Sequence, residues 1–346
     1  MRRLLTVTAI TLAGLLAAST AAQAAAAPTS APSSSPTSST SAGTSTDMPG
    51  MTMPTNAPST APSLSPQRQA QIVRARQRPL FLEAQLSGAN EVQVPGKPPV
   101  GDPKGSATGI VRVQGNQVTF AFSWQGISAP TLGHIHQGVT GVNGDVKVPL
   151  FLTPMPSGVS AAAGAVTVSD PAIADAIRAN PSGFYLNLHT KEFPGGAVRG
   201  QLTKLRKGSS DLLDMLDARG LRANLSGDQE VPTVGGPAVG DPTGRAVAYI
   251  HPQGTEVSYA FAWIGLNPTL GHIHQGAFGT NGKVVVPLFT SAIPTSVFAV
   301  AGTVTGVDPA LVRQIDEHPR DFYTNLHTAQ FPGGAARGQL FGHVRD

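Results

Sequence analysis

The chain has 346 residues, 40% of them hydrophobic, 5% aromatic and none cysteine, which excludes a disulfide framework and a lipid-attachment thiol. Its formal charge is +4, and loss of Arg2 and Arg3 with a leader leaves 22 basic against 20 acidic groups. A balance that close to neutral argues against a nucleic-acid partner.

Taken in chain order, Met1-Arg2-Arg3, the apolar run from Leu4 to Ala18 and the small-residue site Ala22-Gln23-Ala24 predict a secretory signal peptide over 1–24. The apolar run is shorter than the ~20 residues that a spanning helix needs, and no later stretch predicts a membrane span. The expected location is secreted: extracellular or in the cell envelope. Residues 25–78 are read as a disordered stalk, since 25–66 are almost entirely Ala, Pro, Ser and Thr and cannot bury enough apolar surface to offset their ordering entropy. Met48, Met51 and Met53 cluster within it. They form either a soft thioether set suited to Cu(I) or an incidental run in a linker. Arg68, Arg74, Arg76 and Arg78 follow, read as a solvated helix or linker face or as a weak contact for an anionic surface.

Beyond the stalk, hydrophobic patterning predicts strands over 80–86, 107–113, 117–124, 145–151, 163–168, 184–189 and 198–205. Gly115-Asn116 is the expected hairpin turn between two of them, with Gln253-Gly254 its later counterpart. One helix interrupts the strands, starting at Asp170-Pro171 with a cap, a proline in the first position and an apolar stripe. Residues 207–218 read as a short linker helix closed by Gly220.

The chain then repeats itself. Leu86-Ser87-Gly88, Glu91-Val92, Gly101-Asp102-Pro103 and Trp124 recur 139 residues later. From Gly133 onward the offset is 138, and it carries Gly-His-Ile-His-Gln-Gly, Asn-Leu-His-Thr, Phe-Pro-Gly-Gly and Arg-Gly-Gln-Leu. A period this long is a domain duplication, with one copy over 79–206 and the other over 219–346. The expected fold class is all-β: two tandem domains, each an immunoglobulin-like or Greek-key barrel or sandwich with one short helix. Trp124 and Trp263 read as core anchors.

Three histidines match between copies and three others, His251, His318 and His343, do not. His134 and His136 stand two apart, so on a strand their side chains share a face. His189 comes from a different strand, with Asn187 on its face. If these strands face each other, a three-imidazole site results, suited to copper or zinc and open at a fourth position. The candidate metal ligands are therefore His134, His136 and His189 in one copy and His272, His274 and His327 in the other. The alternative is that the rings only brace a loop mouth. Binding needs neutral imidazole, so affinity is expected to fall through the ordinary histidine pKa near ~6.5. Asn187, Asn325, Arg199 and Arg337 are the candidates to support the ligands. Each arginine either draws an anion toward the histidines or pairs with Glu91 or Asp102 (Glu230 or Asp241 in the second copy). Gly195-Gly196 and Gly333-Gly334 read as turns. No nucleophile constellation appears.

The pattern Gly-His-Ile-His-x-Gly, then Asn-Gly, then Phe-Tyr-x-Asn-Leu-His-Thr-x-x-Phe-Pro-Gly-Gly-x-x-Arg-Gly-Gln-Leu resembles the CHRD domain, a chordin-type extracellular family. The resemblance spans both copies and implies an immunoglobulin-like barrel with a limited similarity to copper–zinc superoxide dismutases. His134-Ile135-His136 resembles the dismutase's His-x-His copper pair, and Gly196-Ala197-Val198-Arg199 its approach to an active-site arginine. Three histidines match where the dismutase copper has four, and its zinc loop and disulfide have no counterpart, so what the resemblance implies is a simpler metal site. Two functions follow as expectations: a secreted, non-catalytic binding or structural protein of the cell envelope with an extracellular partner, or a copper- or zinc-binding envelope protein.

Overall fold

The computed structural model describes residues 65–205, 214–216 and 219–343. The signal-peptide reading, Met48, Met51 and Met53 lie outside the described residues, as do most of the stalk and most of the linker helix.

A helix, α1 (Pro66–Ala75), occupies part of the range read as stalk and buries none of its residues. Arg74 in its last turn pairs with Asp175 at 2.8 Å, so one member of the basic run serves as a surface tie. The first repeat then runs β1 (Leu80–Ser87), β2 (Ser106–Gln114), β3 (Gln117–Gln125), β4 (Leu132–Gln137), β5 (Val146–Phe151), β6 (Val159–Thr167), α2 (Pro171–Ala179), β7 (Phe184–His189), β8 (Val198–Gln201) and β9 (Thr203–Lys204). The second repeats it as β10 (Leu221–Ser226), β11 (Arg245–Gln253), β12 (Glu256–Ile264), β13 (Pro268–Gln275), β14 (Lys283–Phe289), β15 (Val297–Thr305), α3 (Pro309–Glu317), β16 (Phe322–Thr328), β17 (Ala336–Gln339) and β18 (Phe341–His343).

Local chemistry accounts for these elements. Asp170 and Asp308 cap their helices by accepting from Ala172 N and Ala310 N, and each is followed by proline at the first helical position. The β2–β3 turn is Gly115-Asn116, with Gly115 at φ 58°. Its counterpart lies one residue later than expected, at Gly254-Thr255, where Gln253 pairs with Glu256. The predicted strand over 198–205 is two strands, because Leu202 turns inward, fully buried, between β8 and β9.

All strand pairings are antiparallel. In the first repeat the strand order is β6–β3–β2–β1–β8–β7–β4–β5, and in the second β15–β12–β11–β10–β17–β16–β13–β14. Consecutive hairpins and longer crossings build a β-sandwich with Phe120, Phe122, Trp124, Ile135 and Leu188 buried in the first repeat and their counterparts Tyr259, Phe261, Trp263, Ile273 and Leu326 in the second. Both tryptophans are core residues, as read.

The two repeats are joined by their edges. β6 pairs with β15, centred on Ala162 opposite Val300; Val159 opposes Gly302, and Gly164 opposes Val297. Small residues make this approach feasible. A Cβ on Gly302 would stand 1.9 Å from Gly158 O, and one on Gly164 would stand 2.4 Å from Ser296 O. The described part of the linker, 214–216, is one 3-10 turn; its Leu216 packs on Ala121, Ala161, Ala163, Ala260, Ala299 and Ala301 along this junction. Pairing two edge strands also removes a template for unwanted strand addition.

Candidate metal centre

The site is built on β4 and β7, neighbours in one sheet rather than strands facing across the sandwich. Their register sets His134 opposite Asn187, His136 opposite Tyr185 and Leu132 opposite His189. Directly opposed residues project to one face, so both histidines of β4 and all three polar residues of β7 stand together. The alternate residues, Ile135, Leu186 and Leu188, fill the core beneath. β8 extends the face, with Arg199 opposite Asn187 and Gln201 opposite Tyr185. The second copy reproduces each row: His272 with Asn325 and Arg337, and His274 with Tyr323 and Gln339.

His134, His136 and His189 each offer a nitrogen within 4.8 Å of the others, and so do His272, His274 and His327. All are buried except His272, which is half-buried. His134 Nδ1 lies 3.2 Å from His189 Nε2, and His272 Nδ1 lies 3.2 Å from His327 Nε2. Ligand atoms on a tetrahedral zinc with bonds of ~2.0–2.1 Å stand roughly 3.3 Å apart, so this spacing fits two nitrogens on one ion; without an ion it is a hydrogen bond from the Nδ1 of His134 or His272 to the Nε2 of His189 or His327.

In each domain two Nδ1 atoms are already committed to backbone carbonyls. His136 Nδ1 donates to Gly144 O at 2.9 Å and His189 Nδ1 donates to Pro194 O at 2.9 Å; His274 and His327 do the same with Gly282 O and Pro332 O. A carbonyl only accepts, so each of these rings keeps its proton on Nδ1 and presents the Nε2 lone pair to the site. Such carbonyl partners fix the tautomer and orientation of metal-binding imidazoles. Burial, reinforced by His189 and His136, pushes the His134 pKa down to about 4, and burial with His327 and His274 does the same to His272. Burial also lowers His136, His189, His274 and His327. His134 and His272 therefore stay neutral well below the ordinary imidazole pKa and the other rings are shifted in the same direction, which moves the expected loss of metal affinity to more acidic pH than the sequence suggested.

Arg199 stands on the same face but makes no direct contact with the acids expected as its partners. It forms no ion pair with Glu91 or Asp102; its guanidinium donates to Asn143 Oδ1, Val139 O and Val142 O. Arg337 likewise holds Asn281 Oδ1, Ala277 O and Thr280 O. Each arginine also lies 3.4 Å from the ring centroid of Tyr185 or Tyr323, and the same tyrosines stack on His136 and His274 at 4.9 and 4.7 Å. The loop after the His-x-His strand is thus pinned from below by a buried cation. These tyrosines were legible as recurring residues but carry no metal-ligand signature, so their part in orienting the second histidine emerges only from the register. Asn187 and Asn325 do stand on the ligand face, as read.

The Pro-Gly-Gly turn has a further use. Gly196 has φ 140°, and a Cβ there would stand 2.7 Å from both carboxyl oxygens of Glu91; at Gly334, φ 138°, it would stand 2.4 Å from Glu230 Oε1. Only glycine leaves room for the glutamate. Burial pushes the pKa of Glu91 and Glu230 up to about 7, against the opposing influence of Arg199 or Arg337 and of the neighbouring asparagine. In the second copy a cavity of about 200 Å³ is lined by Glu230, His274, Tyr323 and Asn325 among others. A larger groove of about 390 Å³ lies over the junction strands and contains none of the histidines.

Comparison with known families returns the CHRD domain twice in tandem, over residues 82–202 and 221–340. No curated protein and no solved structure gives a significant match. Among the described residues no helix is long and apolar enough to cross a membrane.

Proposed function

From the premise that the chain belongs to the CHRD-domain family, we propose that it is a non-catalytic, extracellular binding protein of the cell envelope that holds one copper or zinc ion in each domain. The observation that carries this reading is the recurrence of one ligand set: three histidines whose ligand nitrogens lie within 4.8 Å of one another in both domains, with two of the three rings oriented by backbone carbonyls. Imidazole suits zinc and copper, and three such ligands leave a coordination position for water or a further ligand. The basic start, apolar run and Ala-Gln-Ala site at the N-terminus support export. The methionines at 48, 51 and 53 offer a Cu(I)-type donor set in the same chain.

A second reading is a binding or structural scaffold whose histidines serve as loop braces. It is favoured by those same bonds from His136 to Gly144 and from His189 to Pro194, which tie two loops to the sheet. Elemental analysis of the mature protein, purified without an affinity tag and exposed to Cu(II) or Zn(II), separates the two. The metal reading expects about two ions per chain, one per triad, a raised melting temperature by mass action, and loss of both ions in His136→Ala/His274→Ala. Absence of uptake and of any metal-dependent melting shift leaves only the scaffold.

A further inference from the structure

Each triad shares its surroundings with a carboxylate and an amide whose orphan atoms the histidines do not explain. Glu91 Oε1, Asn187 Oδ1 and His136 Nε2 are buried without a partner in the protein, and so are Glu230 Oε1, Asn325 Oδ1 and His274 Nε2. Asn187 and Asn325 are only 4% and 2% exposed. Buried polar atoms in folded proteins are nearly always satisfied. The same three atoms left unmatched in both copies are therefore a property of the design.

All three are acceptors. Asn187 turns its Nδ2 toward Glu91 Oε2, 3.4 Å away, which leaves its carbonyl oxygen facing elsewhere. His136 has given its Nδ1 proton to Gly144 O. The Arg199 guanidinium is near enough to act on Glu91 through its charge but spends its hydrogen bonds on Asn143 and on the carbonyls of 139 and 142. In the second domain the three groups share one cavity, which Glu230, His274 and Asn325 line together. Neither glutamate belongs to the group of nitrogens close enough to share an ion. Glycine at 196 and 334 keeps space open for the carboxylate where any other residue would displace it. A carboxylate and an amide oxygen beside a metal-ligand nitrogen, but outside the ligand set, call for a guest that donates two hydrogen bonds and reaches the ion.

We propose that Glu91 with Asn187, and Glu230 with Asn325, form a subsite that holds a small hydrogen-bond donor, water in the resting protein, on the open coordination position of each metal. The proposal rests on the reading that the triads bind metal. The subsite selects neutral donors and repels small anions: an azide or fluoride ion brings no proton for Asn187 and meets the charge of Glu91. Glu91 and Glu230 are positioning residues here, acting on the ligand of the metal and not on the metal itself.

The test uses the mature full chain loaded with Cu(II), its copper content measured first, then titrated with azide at alkaline pH while the Cu(II) electron paramagnetic resonance spectrum is recorded. In Glu91→Gln/Glu230→Gln the copper content should stay at the wild-type value. Azide should bind roughly tenfold more tightly once the charge is gone, and the couplings from exchangeable protons of the bound water should change. Glu230→Gln alone should shift half of the copper and leave the other half as an internal control, which keeps the test decisive if the double variant folds poorly. Copper-loaded variants with wild-type azide affinity and unchanged proton couplings overturn the subsite while leaving the metal reading standing. A wild-type protein that takes up neither copper nor zinc overturns both.

Discussion

The histidine faces and the junction between the domains are both duplicated, but they have diverged differently. On the faces the main contacts have their counterparts: His-to-carbonyl bonds, Tyr stacking, the arginine clamp and the glycine against the glutamate recur in both copies. At the junction the backbone pairing is symmetric while the side chains are not. Tyr259 donates to Gly158 O at 2.8 Å and Ser296 donates to Leu150 O at 2.6 Å; the corresponding first-copy residues are Phe120 and Gly158, which have no hydroxyl to return the bond. An interface between two halves of one chain needs only to be complementary, so each side is free to specialise. A site that performs the same chemistry twice needs the same atoms twice. The difference between the two regions is the reason to read the histidine faces as functional.

The largest expected effect that tests this contrast is at the junction. Gly302→Val should destabilise the protein by roughly 2–3 kcal/mol through overpacking against Gly158 and Tyr259, read as a lower denaturant midpoint, yet leave the metal content per folded chain unchanged. Tyr259→Phe restores the residue found in the first copy but should still cost about 1 kcal/mol, because Gly158 O loses its donor. Loss of metal in either variant would mean that site and junction are not independent.

A smaller effect sharpens the account of the face itself through pH. His134 and His272, held near 4 in the fold, take up protons in the unfolded chain from ~6.5 downward. Their contribution to apo stability is present above that pH and is lost as pH falls toward 4. Glu91 and Glu230, held near 7, act in the opposite sense: their protonation in the fold favours it below 7, and the benefit fades as pH rises. Apo Glu91→Gln/Glu230→Gln should therefore melt higher than wild type at alkaline pH, with the difference shrinking as pH falls through 7 toward the ordinary carboxylate pKa. Thermal melts across that range check it; a constant offset would mean that the carboxyls are not buried as described.

Much of this was readable in the residues. The duplication, the strand series, both helix starts and the matched histidines follow from periodicity, Asp-Pro caps and offset counting, since each is a local signal. His134 and His136 on one strand face follow from their spacing alone. That His189 lies on the adjacent strand, and not across the sandwich, depends on register, which no short motif encodes. The contacts of the arginine are hidden for a related reason: acids in the same repeat suggest an ion pair, whereas its hydrogen-bond partners are mostly backbone carbonyls, which every loop offers and no composition reveals. The joining of the domains through β6 and β15 was foreshadowed only by the run Ala161-Ala162-Ala163-Gly164, whose small side chains have meaning once the opposing strand is known.

The most direct test of the central claim is an anomalous-scattering map from crystals of the mature protein grown with stoichiometric Cu(II) or Zn(II). The account predicts a peak in each domain bonded at ~2.0–2.1 Å to His134 Nδ1, His136 Nε2 and His189 Nε2 in one and to His272 Nδ1, His274 Nε2 and His327 Nε2 in the other. Metal bound elsewhere on the chain, with both triads free of it, would contradict the account.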